Sequence, residues 1–123
     1  MRAGDTFRFA DPRLEPHLWM LLSDPGPQTV VVIVSASTKN LGLDLPIIVP
    51  GEHPSLGQRS FVRCDKARLV AASLLEENLR RDTIRASHAL TPALLARIIG
   101  AVRASQHTPT EVAAALAHPT PSP

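Results

Sequence analysis

One segment constrains this chain more than any other: "TVVVIVSAS", residues 29–37. Four valines and one isoleucine follow one another in it. All are β-branched, which stiffens the side chain at χ1 and suits a pleated strand better than a helix. No other stretch is so strand-like, and it predicts the central strand of a sheet.

The neighbouring segments are shorter. Gly4–Ala10 alternates, with Thr6, Arg8 and Ala10 on one face and Asp5, Phe7 and Phe9 on the other, the period of a half-buried strand. Leu18–Ser23 is a short apolar run that fits a buried strand, and Leu45–Val49 reads as a short strand whose Pro46 suits an edge or a strand start. Ser60–Cys64 reads as the next strand, with the option of running on through "DKARLV", and Asp82–His88 alternates once more. "ADPRLEPH", "DPGPQ" and "TKNLGLD" are connections. "AASLLEENLRR" has helical composition but is short, so it reads as a turn or brief helix.

Helix signals gather at the C-terminus. "TPALLARIIGAV" opens with Thr91 as N-cap and Pro92 at the first helical position, and Leu94, Leu95, Ile98, Ile99 and Val102 make an apolar stripe suited to a core or a dimer face. "TPTEVAAALAH" repeats the start, with Thr108 and Glu111 spaced as a capping box. The predicted fold class is mainly β with a C-terminal helix: a small curved sheet or barrel. It spans residues 1–105, followed over 106–123 by a short helix and a frayed proline-rich tail, "PTPSP".

At 123 residues the chain fits one domain. With no Tyr, one Trp and three Phe, mostly aliphatic residues must fill the core, with Trp19 reading as a core residue too, and base stacking on an aromatic platform is not expected to dominate binding. The net charge of +2 does not argue for nucleic acid, yet Arg59, Arg63, Lys66, Arg68, Arg80, Arg81 and Arg85 fall in one part of the chain. The single Cys64 excludes an internal disulfide, as suits a reducing cytoplasm, and reads as a small buried hydrophobe. Met1–Arg2, followed by Asp5 and Arg8, lacks the apolar core of a signal peptide, and no apolar run approaches the ~20 residues needed to span a bilayer. The expectation is a soluble, cytoplasmic protein with no membrane partner.

The five histidines are scattered, without HxxxH or CxxC spacing, so no metal site and no cofactor is expected. What remains is a set of His, Ser, Thr and Arg near strand ends: His17, Ser37, Thr38 and, in the polar loop "GEHPSLGQRS", His53, Ser55, Arg59 and Ser60. Such residues suit phosphodiester chemistry. Imidazole moves protons near neutral pH, guanidinium offers a planar fork to a phosphate, and hydroxyls add hydrogen bonds. Each also has a plainer reading: His17 as a loop residue, Ser37 and Thr38 as turn caps, His53 as turn scaffolding, Arg59 as a solvated charge, Asp65 and Arg68 as a structural pair.

The order of these segments resembles the MazF/PemK family of toxins. "GDTFRFADP" is similar to the family's opening Gly-Asp, hydrophobic strand and Asp-Pro. "HLWMLLS" resembles its second strand, "VVVIVSAST" its central strand ending in a Ser/Thr pair, "SFVRCDKARLV" its strand with an Asp before a basic residue, and "LTPALLARIIGAV" its terminal helix. The resemblance covers most of residues 4–103. It implies a small SH3-like barrel, a homodimer, metal-independent cleavage of single-stranded RNA, and a cognate antitoxin that occupies the substrate groove. The family pairs an Arg before the second strand with a Thr at the end of the central one. Thr38 fills the second place and His17 stands in the first. On this reading His17 is the general acid or base. Thr38, with Ser37, holds the scissile phosphate. Arg59 stabilises developing charge, His53 is a second proton-transfer candidate, and His53, Ser55 and Ser60 line the groove. Two alternatives stay open: a non-catalytic SH3-like binding module, and a gyrase-poisoning toxin of the same barrel.

Overall fold

The structure is a computed structural model that describes residues 1–117 apart from 12, 15, 27, 28, 40 and 41. The tail expected at 119–123 and parts of the three connections lie outside the described residues. Among those residues the strands are β1 (Thr6–Phe9), β2 (Leu18–Leu21), β3 (Val30–Ser37), β4 (Ile47–Ile48), β5 (Ser60–Val62), β6 (Arg68–Ala71) and β7 (Ile84–Ala86). The helices are α1 (Ala72–Arg80), α2 (Pro92–Ala104) and α3 (Thr110–Ala117).

The seven strands form one antiparallel sheet in the order β4-β5-β3-β2-β1-β7, with β6 also on β3. The order runs from one edge strand to another, so the sheet is open. The expectation of a mainly β chain needs correction: helices of 9, 13 and 8 residues make it mixed α/β. β3 is central as expected. β2 pairs along one of its edges, while β5 and β6 divide the other, β5 opposite Ala36 and Ser37, β6 opposite Val30–Ile33. That division corrects the single strand allowed for "SFVRCDKARLV", which a 3-10 turn over Cys64–Lys66 breaks in two.

The apolar runs of β2 and β3 are continuous because both faces of the sheet are covered. On one face Leu18, Met20, Val32, Val34 and Val62 pack with Leu94, Ile98 and Val102 of α2 and with Val112 and Leu116 of α3. On the other, Phe7, Trp19, Leu21, Val31 and Ile33 pack with Leu75 of α1 and Ile84. The brief helix or turn expected over "AASLLEENLRR" is thus a nine-residue helix anchored by Leu75.

The α2 start is as its sequence signal predicts: Thr91 Oγ1 accepts from the Leu94 amide at 3.2 Å. Of its apolar stripe, Leu94, Ile98 and Val102 are buried in the core of its own chain, and Leu95 and Ile99 are partly buried against it. Thr108 uses its hydroxyl otherwise than a capping box would, donating to the Val102 carbonyl at 2.6 Å and tying the start of α3 to α2. Gly4 has φ +93°, its amide donates to Leu21 and its carbonyl accepts from Leu90, a backbone position that a side chain would strain.

Val112 and Leu116 make α3 part of the main core rather than an appendage. Leu116→Ala is expected to lower the unfolding free energy by about 2–5 kcal/mol in denaturant titration. A loss below about 0.5 kcal/mol, typical of surface changes, would contradict this packing.

Candidate functional site

The seven candidate residues divide into two groups. His53 is only 2% exposed and both its ring nitrogens are engaged. Its Nδ1 accepts from the Ser55 amide at 3.0 Å, which assigns the ring proton to Nε2, and that atom donates to the His88 carbonyl at 2.6 Å. Thr6 Oγ1 donates to the same carbonyl at 2.7 Å. Ser55 Oγ and Ser87 Oγ are hydrogen-bonded at 2.6 Å, and Arg8 donates to the carbonyls of Ser55 and Pro16. The polar side chains of the 51–59 loop therefore knit it to β1 and to the segment before α2. Ser60 is buried and donates to the Gln58 carbonyl at 3.0 Å, and buried Ser37 accepts from the Lys39 amide at 3.2 Å, closing the turn after β3.

The other three are His17, Thr38 and Arg59. Among the described residues, His17 and Thr38 have no hydrogen-bond or ion-pair partner, and Arg59 only lies over the Phe61 ring, 5.5 Å from its centre. His17 is half-buried, while Thr38 and Arg59 are exposed. The strand register gathers them. β2 pairs with β3 at Leu18–Ala36, so one step further sets His17 beside Ser37. β3 pairs with β5 at Ser37–Phe61, so one step further sets Thr38 beside Ser60, with Arg59 next in line. All three lie just beyond the last paired residues at the end of the sheet that β2, β3 and β5 share, where continued alternation would set Thr38 on the face of Ala36 and His17 on that of Ser37.

A second polar cluster adjoins this end. Trp19 stands opposite Ser35, on the face where Phe7 stacks on the indole with ring centres 6.4 Å apart. The Arg68 guanidinium covers the indole 5.0 Å from its centre. The Asp65–Arg68 pair considered from the sequence is not formed. Asp65 instead takes both Nε and an Nη of Arg63, at 2.9 and 2.6 Å. That fork holds the Asp65 carboxyl below its ordinary range. Trp19 is buried, as the sequence predicts of a core residue. Its polar neighbours on that face follow from period-two alternation, which sets Ser35 and Ser37 on the face begun by Val31 and Ile33.

Burial pushes the Cys64 thiol up, so it stays protonated within the core. Among the described residues no three His, Cys, Asp or Glu side chains converge on a point that would hold a metal. An open groove between α2 and α3, walled by Gly100, Ala104, Ala113 and Ala117, involves none of the candidate residues. No described helix is long and apolar enough to cross a membrane.

No family model, curated protein or solved structure matches this chain.

His53→Ala is expected to destabilise the fold by on the order of 2 kcal/mol, since it empties a buried site, removes the acceptor of the Ser55 amide and takes one of the two donors from the His88 carbonyl. Thermal and denaturant unfolding measure this, and an unchanged stability would deny the ring its scaffolding role. Asp65 gives a pH signature. Its folded pKa is depressed, so its contribution is complete above the unfolded value of about 3.9 and fades as pH falls through the folded one. Asp65→Asn should therefore be less stable than the parent near neutral pH, with the gap closing in strong acid.

Proposed function

We propose that this chain is a metal-independent endoribonuclease of the MazF/PemK toxin type, cutting single-stranded RNA in the cytoplasm and restrained by a cognate antitoxin. The observation that carries this reading is the division just described. Of seven candidate side chains, the three assigned to catalysis are those left without hydrogen bonds among the described residues, and all three flank paired strands at one end of the sheet. On this reading the open sheet is the core of an SH3-like barrel, and the active form is a homodimer.

The chemistry asks for proton transfer and charge stabilisation. The RNA 2′-oxygen attacks the adjacent phosphorus while the bond from phosphorus to the 5′-oxygen breaks. The proton lost by the 2′-hydroxyl is balanced by one gained at the 5′-oxygen. His17 carries that traffic, since imidazole gives and accepts protons near neutral pH. Thr38 donates a hydrogen bond to a non-bridging oxygen, and Arg59, exposed and without a carboxylate partner among the described residues, answers the charge that grows there. His53 holds the loop that presents Arg59 and transfers no proton.

One observation favours a second reading, a non-catalytic SH3-like binding module: Ser37, His53, Ser55 and Ser60 all spend polar atoms on the fold itself. Such a module binds nucleic acid and leaves it whole.

Incubation with a labelled single-stranded RNA separates the two. The parent is expected to cut RNA and leave DNA of the same sequence intact, because DNA lacks the attacking hydroxyl. His17→Ala and Thr38→Ala are each expected to slow cleavage about 100-fold or more. Both variants cutting at the parental rate would remove the assigned site, and RNA left intact by the parent would remove the nuclease reading.

A further inference from the structure

Trp19 Nε1 is the one fully buried side-chain nitrogen or oxygen that lacks a hydrogen-bond partner among the described residues. An indole N–H left so is costly, and such orphans call for an explanation. Its cross-strand neighbour Ser35 is 3% exposed, and its hydroxyl also has no partner among the described residues. Directly opposed residues share a face, so the two side chains are neighbours across the strands, although they do not bond each other.

Arg68 completes the set. Its guanidinium carbon lies 5.0 Å from the indole centre, and its N–H groups have no acceptor among the described residues. No carboxylate pairs with it among the described residues. The nearest acidic group along the chain, Asp65, has both oxygens taken by Arg63 and does not repel an anion as a free carboxylate would. Two neutral donors and one cation without an acceptor define the chemistry of the missing partner: a compact oxyanion that accepts several hydrogen bonds.

We propose that Trp19, Ser35 and Arg68 form a phosphate subsite for the backbone of a single-stranded nucleic acid. Its row on the sheet is two residues from the row of His17 and Ser37, about 7 Å along the strands. That offset suits successive phosphates of an extended strand, so the subsite takes the phosphate next to the one being cut. This last placement rests on the nuclease reading, whereas the anion site rests on the three side chains. Arg68 is exposed and long enough to move while its stem stays near the indole, and in this proposal such a movement admits the ligand to the buried N–H.

Trp19 is also the built-in reporter, because the chain has one Trp and no Tyr. The full-length protein is titrated with an oligothymidylate, which cannot be cut by 2′-hydroxyl attack, and separately with inorganic phosphate. Potassium chloride at matched ionic strength is the control. Both phosphate ligands are expected to change the tryptophan emission, the oligonucleotide at lower concentration. Arg68→Ala and Ser35→Ala are each expected to raise the midpoint about tenfold, the size of one lost charge-assisted or buried hydrogen bond. Arg68 is exposed, so its variant is expected to fold, and circular dichroism checks this.

An emission change that chloride reproduces, or a midpoint that Arg68→Ala leaves in place, overturns the subsite. A response to inorganic phosphate without one to the oligonucleotide overturns the backbone assignment. The two readings fail separately: emission response without RNA cleavage by the parent sinks the nuclease alone, and cleavage with a silent Trp19 sinks the subsite alone.

Discussion

The structure depends on β3 being covered on both faces and paired along both edges. Every residue from Val31 to Ser37 is buried. Each Val or Ile so placed contributes about 1.5–3 kcal/mol relative to exposure, and the layers that cover them could not be removed singly without uncovering the strand. α2 and α3 close one face and α1 the other, while β2, β5 and β6 take up the backbone groups. A strand of this kind has no polar face to offer. Polar chemistry on it is confined to its ends, and the two ends differ. At the start, Val30 pairs with Ala71, which leads directly into α1. At the finish, Ser35, Ser37 and Thr38 replace the valines.

This difference explains why the candidate residues collect where they do. Beyond Ile33 the face that α1 shares continues through Ser35 and Ser37, with Trp19 and His17 beside them in register. The supporting loop is rigid because His53, Ser55 and Arg8 are bonded across to other segments. Groups that act on a ligand need such a rigid frame, and they need their own hydrogen-bonding capacity unspent. The inner polar residues supply the frame. Thr38 and Arg59, at the rim, keep their capacity.

The strands were legible in the sequence because their signals are local: β-branching in Val30–Val34, alternation in Thr6–Phe9, and a threonine-proline start at α2. The missed features are set by distant partners. α1 looked too short to be a firm helix, and it is held by Leu75 packing against strands from elsewhere in the chain. The break at Cys64–Lys66 follows from β3 being long enough to take two partners on one edge. Among the candidates, His17 and Thr38 could be placed at strand ends from local pattern alone. The fate of His53 could not, because its Nε2 meets a carbonyl 35 residues away. Trp19 looked like plain core for the same reason: its orphaned N–H and the guanidinium above it exist only once β2, β3 and β6 are assembled.

The formal charge misled in a related way. A net +2 suggests little attraction to a polyanion. Yet Arg13, Arg63, Arg80, Arg81, Arg85 and Arg97 are all matched with nearby carboxylates, which neutralises much of the basic run noticed in the sequence. Among the described residues Arg2, Arg8, Lys39, Arg59, Lys66, Arg68 and Arg103 have no ion-pair partner. Four of these seven border β3 from Ile33 onward: Lys39 just after it, Arg59 just before β5, Lys66 in the turn between β5 and β6, and Arg68 opposite Ile33. Charges within about 10 Å of a ligand govern its binding at ordinary ionic strength, and more distant ones are screened. The field at that end of the sheet is therefore set by which cations the fold leaves unpaired, and the sum over the whole chain says little about it.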